Sequence, residues 1–192
     1  MVDARYIDDR GFSLTELIVV LVLLGVVLSI SYGAMLAVFS ASDVASKQAV
    51  FASEVGSPLH VIEKMVTQAT VVEEAEDYSV TFLTDRDRDN LVERHLIEAL
   101  ADGTLRHRTW LTDSSRTNIS LAFDATWSEN NVNQQEALPL VYYYGDLDDD
   151  GLVERLTGVF DVDDVKYVDI NVIVEWDEEL FDDTRSAWMR NL

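Results

Sequence analysis

Apolar residues are concentrated in one run near the N-terminus of the chain. Residues 17–39 are almost wholly apolar and carry no charged side chain. A helix needs about 20 such residues to cross the hydrocarbon core of a bilayer. The run therefore predicts a membrane-spanning helix in the first quarter of the chain.

Beyond this run, residues 41–72 keep a helical pattern in which the apolar positions fall on one side. Val55, Leu59 and Ile62 illustrate it, because they recur at steps of three and four residues. The pattern predicts that the helix continues to about residue 72 and packs its apolar stripe on a sheet. Residues 56–58, Gly-Ser-Pro, predict a kink or break within it.

From residue 78 onward the period of the apolar positions changes to two, which indicates β-strands. Ala101-Asp102-Gly103 predicts a hairpin turn. One long helix followed by antiparallel strands predicts an α+β fold, with the β-domain over residues 73–192. The predicted strands are residues 78–83, 91–100, 104–111, 118–127, 138–144 and 166–176.

The chain is strongly acidic, with 36 Asp and Glu residues against 14 Lys and Arg, for a net charge of −22. Proteins that bind nucleic acids need clustered basic side chains to displace counterions from phosphates, so this charge argues against nucleic acid as a partner. The chain has no cysteine, which excludes disulfides, thiol catalysis and cysteine-ligated metals.

A short motif, Arg10-Gly11-Phe12-Ser-Leu-Thr-Glu16, precedes the apolar run. A carboxylate at the head of a membrane segment costs a few kcal/mol if it is buried without a partner. A glutamate can also reach the interface, so one interpretation of Glu16 is simply the start of a helix.

The segment GFSLTELIVVLVLLGVV resembles the class III signal of type IV pilins and pseudopilins. The resemblance implies that prepilin peptidase cuts after Gly11, that Phe12 becomes the N-methylated first residue, and that Glu16 is the family's glutamate at the fifth mature position. The new ammonium and the Glu16 carboxylate would neutralise each other within one helix or between neighbouring subunits. Residues 1–11 would then be a leader peptide, and residues 12–40 the membrane-spanning and filament-core helix.

The resemblance also implies the function and location. We expect a minor pilin or pseudopilin, with no enzymatic activity, in a type IV pilus-like or type II secretion-like filament. Its partners would be prepilin peptidase, other pilin-like subunits, the membrane and the assembly machinery. Before assembly it would cross the bacterial cytoplasmic membrane once, with the N-terminus cytoplasmic and the C-terminal domain outside. Residues 185–192 also resemble the closing strand of minor pilin-like proteins.

Two features depart from the family pattern. The leader has three acids and two arginines instead of a surplus of positive charge. Gly33 occupies a position where many family members have proline. Glycine weakens a helix by about 1 kcal/mol relative to alanine. Gly25, Ser29 and Gly33 are therefore expected to permit the local melting of this helix that the family shows in filaments.

Three other interpretations stay open. An ordinary secretory signal with an apolar core at residues 17–30 would release a soluble domain. A bitopic membrane protein would display a calcium-binding or adhesive domain without polymerising. A secreted enzyme on a signal anchor would need a catalytic constellation, but the sequence contains no G-x-S-x-G, phosphate-binding loop or HExxH motif.

An acidic motif occurs twice, each time between two predicted strands: DRDRDNLVER at residues 85–94 and DLDDDGLVER at residues 146–155. Carboxylates at alternate positions of a tight loop can converge on a hard cation, with a backbone carbonyl and a later carboxylate completing the shell. The motif predicts one or two calcium sites, and the alternative is two solvated turns. The candidate ligands are Asp85, Asp87, Asp89, Leu91 and Glu93 in the first loop, and Asp146, Asp148, Asp150, Leu152 and Glu154 in the second.

Histidines and tryptophans are too few and too scattered to indicate a site. His60, His95 and His107 are expected to lie on the surface or to fill space between strands, and simple pairing does not place His95 opposite His107. Core or subunit-interface positions are expected for the tryptophans, in preference to a sugar-stacking platform. These are Trp110, Trp127, Trp176 and Trp188.

Overall fold

The computed structural model of the chain describes residues 13–85, 92–113, 115–146, 151–158 and 160–189. Its contacts divide the chain into two compact units, one reaching to Lys47 and one beginning at Gln48. Helix α1 (Leu14–Phe51) begins in the first unit. A π-helical turn (Ala52–Gly56) and helix α2 (Ser57–Thr67) follow in the second.

The helical segment Leu14–Thr67 is long and apolar enough near its N-terminus to cross a membrane, by length and composition. The large apolar side chains between Leu14 and Phe39 are each more than half exposed. An exposed apolar surface of this extent is rare on a soluble monomer and marks a membrane or protein contact.

The predicted interruption at residues 56–58 is present as the π-helical turn. Pro58 lies in the first turn of α2 and has no N–H to donate to the preceding turn. The backbone widens just before it, and the Ser57 N–H donates to the Ala52 carbonyl, five residues back. A single π-helical turn of this kind lies within a longer helical segment without ending it.

The predicted helix boundary at residue 72 is wrong, because α2 ends at Thr67 and strand β1 (Ala69–Ala75) follows almost at once. Three β-branched residues in a row, Thr70-Val71-Val72, favour an extended backbone. They also gain a partner there, since β1 pairs antiparallel with the next strand.

The first sheet is an antiparallel meander of five strands in the order β1-β2-β3-β4-β5. Asp102-Gly103 lies in the turn between the third and fourth strands, as predicted, and Gly103 has a φ of +91°. Besides β1, the strands are β2 (Ser79–Thr84), β3 (Val92–Ala99), β4 (Leu105–Thr112) and β5 (Asn118–Ser128).

The second sheet has four antiparallel strands in the order β7-β6-β8-β9. They are β6 (Val141–Gly145), the short β7 (Glu154–Arg155), β8 (Val165–Trp176) and β9 (Glu179–Trp188). The last strand begins six residues earlier than the sequence indicated. The turn before it is Asp177-Glu178, where both residues have positive φ values of 53° and 63° without the glycine or asparagine that usually signals such a turn.

One hydrophobic core joins α2 to both sheets. Leu59, Ile62 and Val66 of α2 are fully buried, together with Phe82 from the first sheet and Ile170 from the second. All members of this core lie between residues 55 and 189. The prediction of an α+β, pilin-like architecture is confirmed.

Candidate functional site

The N-terminus of α1 is capped by Glu16. The Ser13 backbone N–H, just before the helix, donates to Glu16 Oε2 at 2.9 Å, and the Leu17 N–H donates to the Ser13 carbonyl at 3.1 Å. This is the reciprocal half of a capping box, in which an acidic side chain satisfies a free donor at the helix start. A carboxylate in the first turn also faces the positive end of the helix dipole.

The Glu16 carboxylate is therefore directed back along the chain. Its partner, Ser13, directly follows Phe12 in the sequence. Gly11 and Phe12 lie outside the described residues, and their roles in processing stay predictions.

Polar and small residues interrupt the apolar run of α1. The Ser29 hydroxyl donates to the Gly25 carbonyl at 2.8 Å, and the Ser31 hydroxyl does the same to Val27 at 2.8 Å. These bonds satisfy the hydroxyls where lipid offers no partner. A Cβ added at Gly25 or Gly33 would meet nothing within 4 Å, so packing within the chain does not require glycine at either position.

The first acidic loop connects β2 to β3. Asp85 is exposed at the end of β2. Glu93, at the start of β3, accepts a hydrogen bond from the Thr84 hydroxyl at 3.0 Å through Oε2. The other three candidate ligands of this loop, Asp87, Asp89 and Leu91, lie outside the described residues.

The second acidic loop connects β6 to β7 and is closed by its own first residue. Asp146 Oδ2 accepts a hydrogen bond from the Gly151 N–H at 3.0 Å, and Gly151 has a φ of +82°, a conformation that favours glycine. Leu152 and Glu154 are exposed. The candidate ligands Asp148 and Asp150 lie outside the described residues.

Within the described parts of the chain, no group of three or more His, Cys, Asp or Glu side chains is arranged to hold a metal ion. The candidate ligands at the centre of both acidic loops fall outside those parts. Calcium binding by either loop therefore stays a prediction.

Two buried histidines lie between the strands of the first sheet. As predicted they are not opposite each other, since His95 pairs with Thr109 and His107 with Ile97. Their rings are nevertheless stacked, with His95 Nδ1 at 3.1 Å from His107 Nε2. Burial lowers the pKa of His107 to about 4, partly opposed by the carboxylate of Asp124, so this ring is neutral at pH 7. Both histidines fill space in the sheet.

Sequence reasoning missed the hydrogen-bonded chain that ends at this pair. His95 Nε2 lies 3.0 Å from the Thr84 hydroxyl, which also bonds Glu93. This row of hydrogen bonds thus runs from Glu93, beside the first acidic loop, to His95 in the sheet. No sequence signal indicates it, because Thr84 and His95 meet only through the register of β2 and β3.

An aromatic stack crosses the second sheet, and sequence reasoning missed it too. The rings of Tyr144 and Tyr167 lie parallel with centroids 4.4 Å apart, and Trp188 continues the row at 4.6 Å from Tyr167. Trp188 itself is 59% exposed, so it does not lie in the core, and a subunit-interface role for it stays a prediction. Elsewhere Trp127 packs on His107 at 4.8 Å.

Comparison with known proteins identifies the N-terminal segment. Residues 8–32 match the family described as the prokaryotic N-terminal methylation motif. This is the cleavage motif of type IV pilins and pseudopilins, and the matched range includes Gly11, Phe12 and Glu16. Neither the curated proteins nor the solved structures contain a match to the chain.

Proposed function

We propose that this chain, which carries the methylation motif of type IV pilin-like proteins, is a minor pilin or pseudopilin. It is a structural subunit of a type IV pilus-like or type II secretion-like filament. The observation that carries the proposal is the motif at residues 8–32, which continues directly into an exposed apolar helix.

The proposed mechanism is assembly. The apolar half of α1 holds the chain in the bacterial cytoplasmic membrane, with residues 1–11 on the cytoplasmic side and the β-domain on the other. Prepilin peptidase removes the leader after Gly11, and the assembly machinery then transfers the helix from lipid to the core of a filament. Other pilin-like subunits replace lipid around side chains that have no cover within the described chain.

Cleavage after Gly11 is the first expected result. When the full chain is co-expressed with a prepilin peptidase, mass spectrometry should find a chain that lacks residues 1–11 and begins at Phe12, with one added methyl group. Gly11→Leu should remain uncut, because a large side chain precedes the scissile bond.

The matched control is Gly25→Ala, where an added Cβ meets nothing within 4 Å, and it should be cut like the natural sequence. An intact Met1 on every chain would contradict the proposal and favour a bitopic anchor. A start near residue 34 would indicate an ordinary secretory signal.

Glu16 separates processing from assembly. Glu16→Ala should be inserted and cut at nearly the natural level, while its incorporation into filaments should fall at least about tenfold. A tenfold fall corresponds to about 1.4 kcal/mol of lost binding free energy. Losing one favourable charge pair in a low-dielectric core costs more than this. Quantitative immunoblotting of sheared filaments against the membrane pool measures it.

Thr15→Ala provides the control for Glu16, because it removes a neighbouring uncharged side chain whose hydroxyl lies 2.6 Å from that of Ser13. Thr15→Ala should assemble normally. Equal incorporation of Glu16→Ala and the natural chain would contradict the charge-pairing role.

We also propose that calcium binds the second acidic loop. The donor chemistry fits a calcium shell, since Asp146, Asp148 and Asp150 alternate along a tight loop. The bond from Gly151 to Asp146 supports it, because it folds the loop back on its first carboxylate. Calcium at the first loop is the weaker proposal, since Arg86 and Arg88 already offset its charge.

Calcium should raise the melting temperature of the segment from Gln48 onward. Ligand linkage adds about 2.7 kcal/mol to the free energy of unfolding when free calcium is 100 times its dissociation constant. The paired change Asp148→Asn with Asp150→Asn keeps the turn chemistry but removes two charges, so it should abolish most of the shift. Differential scanning calorimetry with calcium and with chelator measures it.

The matched control for this pair is Asp87→Asn with Asp89→Asn in the first loop, which should have a smaller effect. A melting temperature that changes with neither calcium nor chelator would mean that the loops are solvated turns. A shift abolished only by the first-loop pair would reverse the ranking of the two loops.

A further inference from the structure

A groove lined by two tryptophans lies beside the π-helical turn, where the ends of β5 and β8 meet it. Its volume is about 440 Å³, and its lining consists of Ser53 and Glu54 from the turn, residues 126–130, and Trp176 at the end of β8. Trp127 is partly buried, whereas Trp176 is 42% exposed. We call this feature the tryptophan groove.

The tryptophan groove carries negative charge without a compensating cation. Its lining contains two carboxylates, Glu54 and Glu129, and, within the described residues, no Lys, Arg or His. Neither carboxylate forms a salt bridge with a described residue. Asp177 and Glu178 directly follow Trp176 in the sequence and add to the negative charge on that side. The groove therefore combines aromatic surface with acidic side chains, which is the composition that attracts an organic cation.

The Glu54 carboxylate is held in place but is not neutralised. It accepts hydrogen bonds from the Ser128 hydroxyl at 2.7 Å and from Asn130 Nδ2 at 3.0 and 3.2 Å. Both donors are uncharged. An ionised carboxylate has about four acceptor positions, so these bonds leave one position on Oε1. A carboxylate fixed in this way binds a cation without further ordering of its own side chain.

We propose that the tryptophan groove binds an arginine side chain of a basic partner protein. The guanidinium stacks on the indole of Trp176, where the negative face of the ring attracts a cation. Its N–H groups donate to the carboxylates of Glu54 and Glu129. Arginine fits this site better than lysine because its planar group stacks on an aromatic ring and presents several donors at once.

A second copy of this chain is a poor source of that arginine. Two copies with a net charge of −22 each repel one another, whereas the same charge attracts a basic protein. Four of the described arginines are also paired with acids of their own chain; they are Arg94, Arg106, Arg108 and Arg185. Binding at the groove depends on neither processing nor filament assembly, so it stands or fails separately from the proposed function.

The test is fluorescence anisotropy of a dye-labelled peptide, Gly-Arg-Gly-Arg-Gly with blocked ends, titrated with the full chain in detergent micelles. Trp176→Leu should raise the dissociation constant of the peptide about fivefold, because one cation–π contact is lost. The matched control is Trp188→Leu, since Trp188 is 59% exposed outside the groove, and it should leave the constant unchanged. Equal effects of the two variants, or no binding by the natural chain, would overturn the proposal.

Replacing a carboxylate tests the charge without removing an aromatic ring. Glu129→Gln should raise the dissociation constant about threefold, as expected for one partly exposed ion pair. Glu136→Gln is its control, because it removes the same charge from an exposed acid that does not line the groove. If the two changes weakened binding equally, the peptide would follow only the overall charge, and the proposal would be wrong. This comparison decides the matter even if Trp176→Leu fails to fold.

Sedimentation of the chain without peptide tests the other occupant. We expect Trp176→Leu to have the same oligomeric state as the natural chain in detergent micelles, because the groove binds a different protein. If the natural chain is dimeric and Trp176→Leu is monomeric, a second copy fills the groove and the proposal is overturned.

Discussion

Replacing Asn133 by alanine is expected to lower the free energy of unfolding of the segment from Gln48 onward by about 4 kcal/mol. The substitution leaves buried polar groups without a hydrogen-bond partner. Asn133 is fully buried in the segment that joins the two sheets. Its Oδ1 accepts from the Ile173 N–H at 3.0 Å, and its Nδ2 donates to the Asn171 carbonyl at 2.8 Å. Alanine leaves both backbone groups without this partner in a place that water does not reach.

The measurement is urea unfolding followed by circular dichroism. The segment is suitable because the core residues of the described part of the chain all lie within it. Gln135→Ala is the control, since Gln135 lies in the same segment but is exposed, with one bond to the Ala101 carbonyl at 3.1 Å. It should change stability by less than about 0.5 kcal/mol. Similar effects from the two variants would show that the Asn133 bonds are replaced by solvent.

Gly145→Ala is expected to cost at least about 3 kcal/mol, the upper range for overpacking. A Cβ at Gly145 would lie 2.2 Å from the Asp164 carbonyl oxygen and 3.1 Å from Leu156 Cδ1. The first contact is with backbone, so no side-chain rotation relieves it, and strand β6 must separate from the turn before β8. Thermal unfolding of the same segment measures the loss.

Gly158→Ala distinguishes space from backbone conformation. An added Cβ there meets nothing within 4 Å, although Gly158 has a φ of +76°, so only the left-handed backbone is penalised, by about 1–2 kcal/mol. If Gly145→Ala lowered the free energy of unfolding by no more than Gly158→Ala does, the structure could move Asp164 away from residue 145 at little cost. Because Gly145 directly precedes Asp146, its variant should also weaken the calcium binding that we propose for the second acidic loop.

The N-terminal features of this protein could be predicted from sequence because they depend on local interactions. A helix satisfies its backbone within the segment, so an uncharged apolar run determines one without help from the rest of the chain. The capping of α1 is equally local, since Ser13 and Glu16 are one turn apart. The π-helical turn before Pro58 follows from the missing proline N–H.

Strands can be predicted where their apolar positions alternate. They are harder to predict where pairing with a neighbouring strand determines the conformation. Strand β8 alternates and was predicted over residues 166–176. The sequence pattern predicts residues 69–72 of strand β1 as helix, since Val72 fits either pattern and only pairing with β2 selects the strand. The turn at Asp177-Glu178 carries no glycine, so the start of β9 depends on its long pairing with β8.

The remaining features depend on which strands become neighbours, which local pattern does not specify. His95 contacts His107 diagonally across two neighbouring strands. Asn133 bonds residues of β8 that lie about 40 positions later in the sequence. The apolar alternation of β5 reads like that of any buried strand. Only the order of the sheet makes it an edge, because pairing takes place between backbones and ends wherever the next strand is absent.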